Sequence, residues 1–273
     1  MKNLQYILFG LSVLLVTFSA CTKEATTEYG QFSLEFDNKI GTEEVALNAS
    51  GSADYPFTTQ MSQNFNIQTL GYYISRIELK GPNGELYTDE VSTGATSAEV
   101  KGFYQVLESN ASSQTINLEN VPVGTYNKIT FTLGIEADYV QDGATGGVLD
   151  PANGGWLWNW DSGYIFYKFE GTSPASTRSD NTFRFHIGGW KEIAGNAALT
   201  NNVKRITLDF PSSAEVTTSS DLEAHIIMNL LEVLDGHHAV DFSTTNAVMS
   251  PAAGADFAHS LEEAFMIHGI HSK

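Results

Sequence analysis

Large apolar and polar residues alternate along most of the chain, and this period of two is typical of half-buried β-strands. Residues 128–135 (KITFTLGI) show the alternation most clearly, and residues 32–36, 183–187 and 206–210 repeat it. Turn sequences such as residues 81–84 (GPNG) separate these segments. Many short strands joined by glycine-rich turns predict an all-β fold, namely a β-sandwich of antiparallel strands with long loops.

A helix is predicted only near the C-terminus. Residues 252–266 follow Ser250 and Pro251, where the serine can cap a helix and the proline can occupy its first turn. No internal repeat and no clear linker interrupts residues 30–273. We therefore predict a single domain over this range, with a short helix close to its end.

The first twenty residues have the layout of a secretory signal peptide. A short basic start precedes an apolar run over residues 4–18, which is shorter than the roughly 20 residues that a membrane-spanning helix needs. Residues 18–21 (FSAC) resemble a bacterial lipobox, so we expect residues 1–20 to be removed and Cys21, the lone cysteine, to carry lipid. Residues 21–29 are expected to form a flexible tether. The sequence thus predicts a lipid-anchored protein of the bacterial cell envelope, in the periplasm or at the outer-membrane surface.

The charge balance argues against a nucleic-acid partner. The 273 residues include 14 Lys and Arg against 32 Asp and Glu, a formal net charge of −18, and phosphate backbones repel a chain this acidic. The sequence contains no nucleophile elbow, zincin, P-loop or dinucleotide-binding motif. We therefore expect a binding protein and not an enzyme. A hydrolase with an unrecognised pair of carboxylates is the weaker alternative.

Tryptophans are concentrated in one short segment. Trp156, Trp158 and Trp160 alternate with other residues, so all three point to the same face if the segment is extended. Such a row can line the core, or it can form an exposed aromatic surface on which sugar rings stack. One functional hypothesis is therefore a carbohydrate-binding lipoprotein of the cell envelope, which requires accessible, coplanar rings.

Histidines are the main candidates for metal ligands. His268 and His271 lie three residues apart near the C-terminus, and they can converge on one metal if this segment is helical or tightly turned. His186 lies in an alternating segment, opposite its apolar neighbours, where a histidine is either structural or a ligand. His237 and His238 follow a turn and are expected to be solvated. The first candidates for metal ligands are His186, His268 and His271, and the second-tier candidates are His225 and His259.

An ordered set of motifs runs through the predicted domain. In sequence order they are GxFxLxF (30–36), LGYYISRIxL (70–79), VPxGxY (121–126), FxLGI (131–135), WxWxSGYIF (158–166), EG (170–171) and HIGG (186–189). Together they resemble the MbnP-like copper-binding lipoproteins, which are relatives of the MopE and CorA copper proteins. The resemblance covers nearly the whole predicted domain.

The resemblance implies a β-rich envelope protein that binds copper for acquisition or storage. In this family a copper ligand can be kynurenine made by oxidising a tryptophan, and the implied oxidising partner is a di-haem cytochrome c peroxidase related to MauG. Trp158 and Trp160 occupy the family's Trp-x-Trp-x-x-Gly-Tyr stretch and are the candidates for this modification, and His186 occupies the His-Ile-Gly-Gly position. The chain departs from the MopE and CorA motif, since it contains neither Trp-x-His nor His-x-Trp.

Copper also agrees with the available donor types. Imidazole suits copper, and a lipid-bearing Cys21 leaves no thiolate for a blue-copper site. Methionine thioethers are soft ligands for Cu(I), although methionine more often fills space in a core. The candidate thioethers are those of Met228, Met249 and Met266.

Overall fold

The computed structural model describes residues 27–140 and 146–273, which form two β-sheets packed face to face. The predicted signal peptide, the lipid site at Cys21 and most of the tether lie outside the described residues. The strands are β1 (Tyr29–Ile40), β2 (Glu43–Glu44), β3 (Phe57–Thr58), β4 (Asn64–Lys80), β5 (Leu86–Thr88), β6 (Phe103–Leu107), β7 (Thr115–Pro122), β8 (Gly124–Leu133), β9 (Leu157–Asn159), β10 (Gly163–Thr172), β11 (Thr182–Gly188), β12 (Lys204–Val216), β13 (Asp221–Asn229), β14 (Ala247–Val248) and β15 (Phe265–Ser272). The α-helices are α1 (Ala137–Val140), α2 (Leu230–Asp235) and α3 (Ala255–Glu263).

The smaller sheet has the order β15-β13-β1, with β2 and β7 both paired to β1. The larger sheet has the order β12-β8-β4-β10-β11-β14, with β3, β5 and β6 paired to β4 and β9 paired to β10. This arrangement confirms the predicted all-β sandwich. Most pairs are antiparallel as expected, but β1 with β13 and β11 with β14 are parallel.

Aromatic side chains hold the two sheets together. Phe36 of β1 packs edge-on against Tyr72 of β4, Phe131 of β8 and Phe265 of β15, with ring centroids 5.9–6.4 Å apart. All four side chains are buried. Because side chains alternate along a strand, residues next to these inward-facing rings point to the outer faces of the sandwich.

The C-terminal region is only partly helical. A 3₁₀ turn over Ala252–Gly254 precedes α3, and the chain then continues as strand β15 beside β13. The predicted helix over residues 252–266 therefore ends at Glu263, and the tail that carries His268 and His271 is extended. The apolar residues of this segment explain the extended conformation. Phe265 is buried, and Ile267 and Ile270 pack against the core.

No helix within the described part of the chain is long and apolar enough to span a membrane.

Candidate metal centre

Three histidines meet on the outer face of the smaller sheet. His225 lies on β13, while His268 and His271 lie on the neighbouring edge strand β15. Each offers a ring nitrogen within 4.8 Å of the other two, and the imidazole centroids of His268 and His271 lie 4.9 and 6.0 Å from that of His225. Because metal–imidazole bonds measure about 2.0–2.1 Å, modest side-chain rotations bring all three nitrogens onto one ion.

A β-bulge places His268 in this cluster. His225 pairs with Gly269 and Ile226 pairs with Ile267, so His268 is an additional residue in β15. Strict alternation would point His268 and His271 to opposite faces of the sheet. The bulge removes that alternation for one residue and turns His268 to the outer face. The two tail histidines therefore converge on an extended strand and not on a helix.

Gly269 makes room for the third imidazole. A Cβ atom added at Gly269 would lie 3.1 Å from both Cε1 and Nε2 of His271, so the His271 ring folds back over the glycine. Gly269 is also the residue that pairs with His225. The missing side chain thus lets His271 lean towards His225.

A carboxylate orients His225 from the adjacent strand. Its Nε2 lies 3.0 Å from Oδ2 of Asp37 on β1, which leaves Nδ1 as the nitrogen available to a metal. Burial raises the pKa of the Asp37 carboxyl, but hydrogen bonds from Lys39 and His225 outweigh burial and hold that pKa below its ordinary value. Metal-binding histidines commonly have such a carboxylate on their second nitrogen, because it fixes the ring and increases its basicity.

Further carboxylates lie on the same outer face. Glu35 pairs in register with His225, and Glu223 pairs with His271. Because Glu223 forms an ion pair with Lys273, it is the negative charge of Glu35 that raises the local concentration of cations, without selecting one of them. Selectivity therefore depends on the three imidazoles.

His186 lies on the other side of the sandwich. It belongs to β11 of the larger sheet, and its Nε2 lies 2.5 Å from Oε1 of Glu170 on β10. The hydrogen bond from His186 is the main cause of a lowered pKa of Glu170, and it outweighs the opposing effect of burial. Nδ1 of His186 is buried and has no hydrogen-bond partner within residues 27–140 and 146–273. The structure therefore separates His186 from the tail histidines, since the outer faces of the two sheets point in opposite directions.

The domain matches a known family. The sequence model of MbnP matches residues 29–250, which is well over half of the chain. The chain belongs to the MbnP family. Its fold is similar to that of MbnP from Methylosinus trichosporium, with a TM-score of 0.51 at 14% sequence identity over 89% of this chain and 98% of that chain. No curated protein matches the sequence. The family predicted from the ordered motifs is thus confirmed.

The MbnP match includes only part of the histidine cluster. Of the cluster, His225 lies inside the matched residues 29–250, whereas His268 and His271 lie beyond them. The cluster therefore combines one histidine of β13, inside the matched residues, with two histidines of β15, which comes after them.

The tryptophan segment of this MbnP domain covers the outer face of the larger sheet. A Cβ at Gly188 would lie 2.8 Å from Cζ3 of Trp158, and a Cβ at Gly71 would lie 2.8 Å from Cη2 of Trp156. Both rings are half-buried, and only Trp160 is well exposed, at 44%. Lys168 further covers Trp156, with Nζ 4.3 Å from the ring centroid. The segment is therefore not the row of accessible, coplanar rings that the carbohydrate-binding hypothesis requires.

His259 also lies apart from the three-histidine cluster. It is on α3, where its ring stacks on that of His237 with centroids 3.7 Å apart. His238 packs edge-on against Phe257. His237 and His238, which we expected to be solvated, thus both contact the rings of neighbouring side chains.

Two contributors to the cluster were not predicted from the sequence. An isolated glycine in an alternating strand pattern commonly marks a bulge or a close approach, so Gly269 was an available signal. Asp37 had no such signal, because its contact with His225 depends on the parallel pairing of β1 with β13, 188 residues later in the chain.

Proposed function

We propose that this MbnP-family protein binds copper through His225, His268 and His271. The observation that supports this most strongly is the convergence of three ring nitrogens within 4.8 Å, together with the hydrogen bond between His225 and Asp37. Membership of a copper-associated family agrees with the same metal. Among the common divalent first-row ions, Cu²⁺ forms the most stable complexes with a given nitrogen site.

The surroundings of the cluster favour uptake and release. His268 and His271 are exposed, so the metal can reach them without opening the fold. Met266 is 54% exposed and pairs with Ile227, which places it two residues from His225 along the outer face. A thioether at this position suits Cu(I). We propose that the protein acquires or stores copper and catalyses no reaction, and the exposure of the site supports this role because the metal can enter and leave without a change of fold.

The proposal extends to the cell envelope. We propose that Cys21 carries a lipid anchor, which keeps the protein in the periplasm or at the outer-membrane surface. A di-haem cytochrome c peroxidase related to MauG is the proposed partner, with Trp158 or Trp160 as its substrate for oxidation to kynurenine. The exposure of Trp160 supports access by such a partner. Trp158 packs over Gly188 in the strand of His186, so a modified Trp158 would lie on the face opposite the three histidines.

A titration with single variants tests the copper site. We expect His225→Ala, His268→Ala and His271→Ala each to weaken the tightest copper binding by about 100-fold or more, since losing a ligand costs more than the 10–100-fold typical of outer-shell changes. Competition with a chromophoric Cu(I) chelator, and calorimetry with Cu²⁺, measure the two oxidation states separately.

His186→Ala is the matched control, because it removes a histidine that also pairs with a carboxylate. Its copper affinity should equal that of the unmodified protein. Unchanged binding in all three cluster variants, or a large loss in a control that circular dichroism shows to be folded, would show that copper binds elsewhere.

A further inference from the structure

A pocket opens between the two sheets, at the edge of the smaller sheet opposite to β15. Its volume is about 580 Å³, which lies within the roughly 300–1,000 Å³ typical of small-molecule sites. Residues of β5, β6 and the adjoining loops line the pocket from the larger sheet, and residues of β7 line it from the smaller sheet. Because β7 and β13 pair with opposite edges of β1, the pocket is separate from the three-histidine cluster.

Asp89 places a half-buried carboxylate in the wall of this pocket. The Tyr104 hydroxyl of β6 donates a hydrogen bond to Oδ2 of Asp89 at 2.8 Å, and the Tyr87 hydroxyl of β5 donates to Oδ1 at 3.3 Å. Burial raises the pKa of the Asp89 carboxyl, and these hydrogen bonds offset only part of that increase. Two tyrosines of neighbouring strands therefore hold one carboxylate at a fixed position.

Asp89 lacks a positively charged partner. In the described part of the chain, no Lys, Arg or His forms an ion pair with its carboxylate. Lys101, which also lines the pocket, pairs instead with Glu90, with Nζ 2.8 Å from Oε2. Glu119 of β7 adds a negative charge from the smaller sheet and raises the pKa of Asp89 further. Since a carboxylate removed from water is stabilised by a cation, the pocket has a negative charge that no group of the described chain balances.

The lining of the pocket suits an organic cation better than a metal ion. Among the described residues, only the three histidines of the copper site bring three ligand atoms within 4.8 Å of one another, so the carboxylates of the pocket do not converge on a metal. An organic cation needs one carboxylate and an apolar surface for its hydrocarbon part. The apolar side chains in the wall are those of Leu86, Val100, Phe103 and Pro122.

We propose that this pocket binds a small organic molecule through a primary ammonium group on a short aliphatic stem. The ammonium group donates hydrogen bonds to the Asp89 carboxylate and to the hydroxyl oxygen of Tyr104, and it supplies the positive charge that Asp89 lacks. The stem packs against the apolar part of the wall. The inference does not depend on copper binding, because the pocket and the copper site share no residue.

NMR titration of the full chain, observing the ligand signals, tests the pocket with n-butylammonium as the probe. We expect a dissociation constant of about 1 mM for this five-atom ligand. Butan-1-ol has the same stem without the charge, and tetramethylammonium has the charge without an N–H donor. Both should bind at least about tenfold more weakly, because neither can form a charge-assisted hydrogen bond with Asp89. This comparison uses only the unmodified protein, so it does not require any variant to fold.

Variants of the pocket assign the binding to Asp89. Asp89→Asn keeps the size of the side chain and removes its charge, so it should weaken n-butylammonium binding by at least about tenfold. Tyr104→Phe removes a hydrogen bond to the carboxylate and should weaken binding by about threefold to tenfold. Asp54→Asn is the matched control, because it removes the charge of an exposed carboxylate outside the pocket, and it should change the affinity by less than about twofold.

Three results would overturn the proposal. The first is that n-butylammonium does not bind the unmodified protein, or binds no more tightly than butan-1-ol. The second is that Asp89→Asn, shown to be folded by circular dichroism, keeps the affinity of the unmodified protein. The third is an equal loss in Asp89→Asn and Asp54→Asn, since the ammonium group would then be attracted only by the net negative charge of the chain.

Discussion

Two histidine–carboxylate pairs occupy the two outer faces of the sandwich, and they differ in what surrounds the second ring nitrogen. His225 pairs with Asp37 and has His268 and His271 beside it, both exposed. His186 pairs with Glu170, and its Nδ1 is buried without a hydrogen-bond partner in the described chain. A carboxylate on one nitrogen orients a histidine in both cases. Within residues 27–140 and 146–273, only the first arrangement brings further histidines to the pair.

The difference arises from how each strand is covered. β15 is an edge strand with a bulge, and its outer face carries exposed side chains. β11 lies inside the larger sheet, and Trp158 packs over its outer face at Gly188. The buried His186 pair is therefore part of the folded structure, whereas the open edge leaves the His225 pair available for binding. The comparison therefore predicts opposite effects of mutation at the two sites.

The largest expected effect on folding comes from His186→Ala. Removing this imidazole leaves the half-buried Glu170 carboxylate without its main partner, and breaking a fully buried pair in this way costs about 3–5 kcal/mol. Because 29% of the Glu170 side chain is exposed, water recovers part of that cost, and we expect a loss of about 1–3 kcal/mol in the free energy of unfolding. Chemical denaturation without metal measures it.

His225→Ala is the matching variant on the other face. Asp37 keeps its ion pair with Lys39 at 3.0 Å, so the loss in unfolding free energy should stay below about 1 kcal/mol. Equal losses for His186→Ala and His225→Ala would contradict the assignment of one pair to folding and the other to binding.

Much of the fold follows from local patterns. The alternation over residues 32–36, 128–135, 183–187 and 206–210 predicts strands, and these became β1, β8, β11 and β12. A period of two reports which residues share a face, but it carries no information about which strands pair. The parallel contact between β1 and β13 therefore could not be predicted from it.

The sequence named all three histidines of the cluster among five candidates, but it ranked His225 below His186, and it did not give the geometry. The spacing of His268 and His271 suggested convergence on a helix or turn, whereas the structure achieves it with a bulge in a strand. His186 shares the imidazole chemistry of the cluster, and only the assignment of its strand to the other sheet separates it. Residue types thus identified the candidate ligands, and long-range pairing decided which of them meet.

Asp37→Asn is expected to have an intermediate effect, and the effect is on copper binding. The amide keeps the size of the carboxylate but loses the charge that polarises His225, so copper affinity should fall by about tenfold, at the lower end of outer-shell effects. Glu35→Gln removes the same charge from the same face, in register with His225, and should change affinity by less than about twofold at physiological salt. Competition titration compares them. A similar loss in both variants would mean that Asp37 acts through net charge alone.

Gly269→Ala is expected to have the smallest effect, with opposite signs on folding and binding. Alanine in a strand is more stable than glycine by about 0.5–1 kcal/mol, and the exposed His271 ring, 3.1 Å from the new Cβ, can move aside. Unfolding free energy should therefore rise slightly while copper affinity falls by about threefold to tenfold, less than most outer-shell changes. In a His271→Ala background the effect on affinity should vanish, because the two residues act through one contact. If Gly269→Ala weakens copper binding equally in both backgrounds, the glycine acts by shaping the bulge at His268 and not by making room for His271.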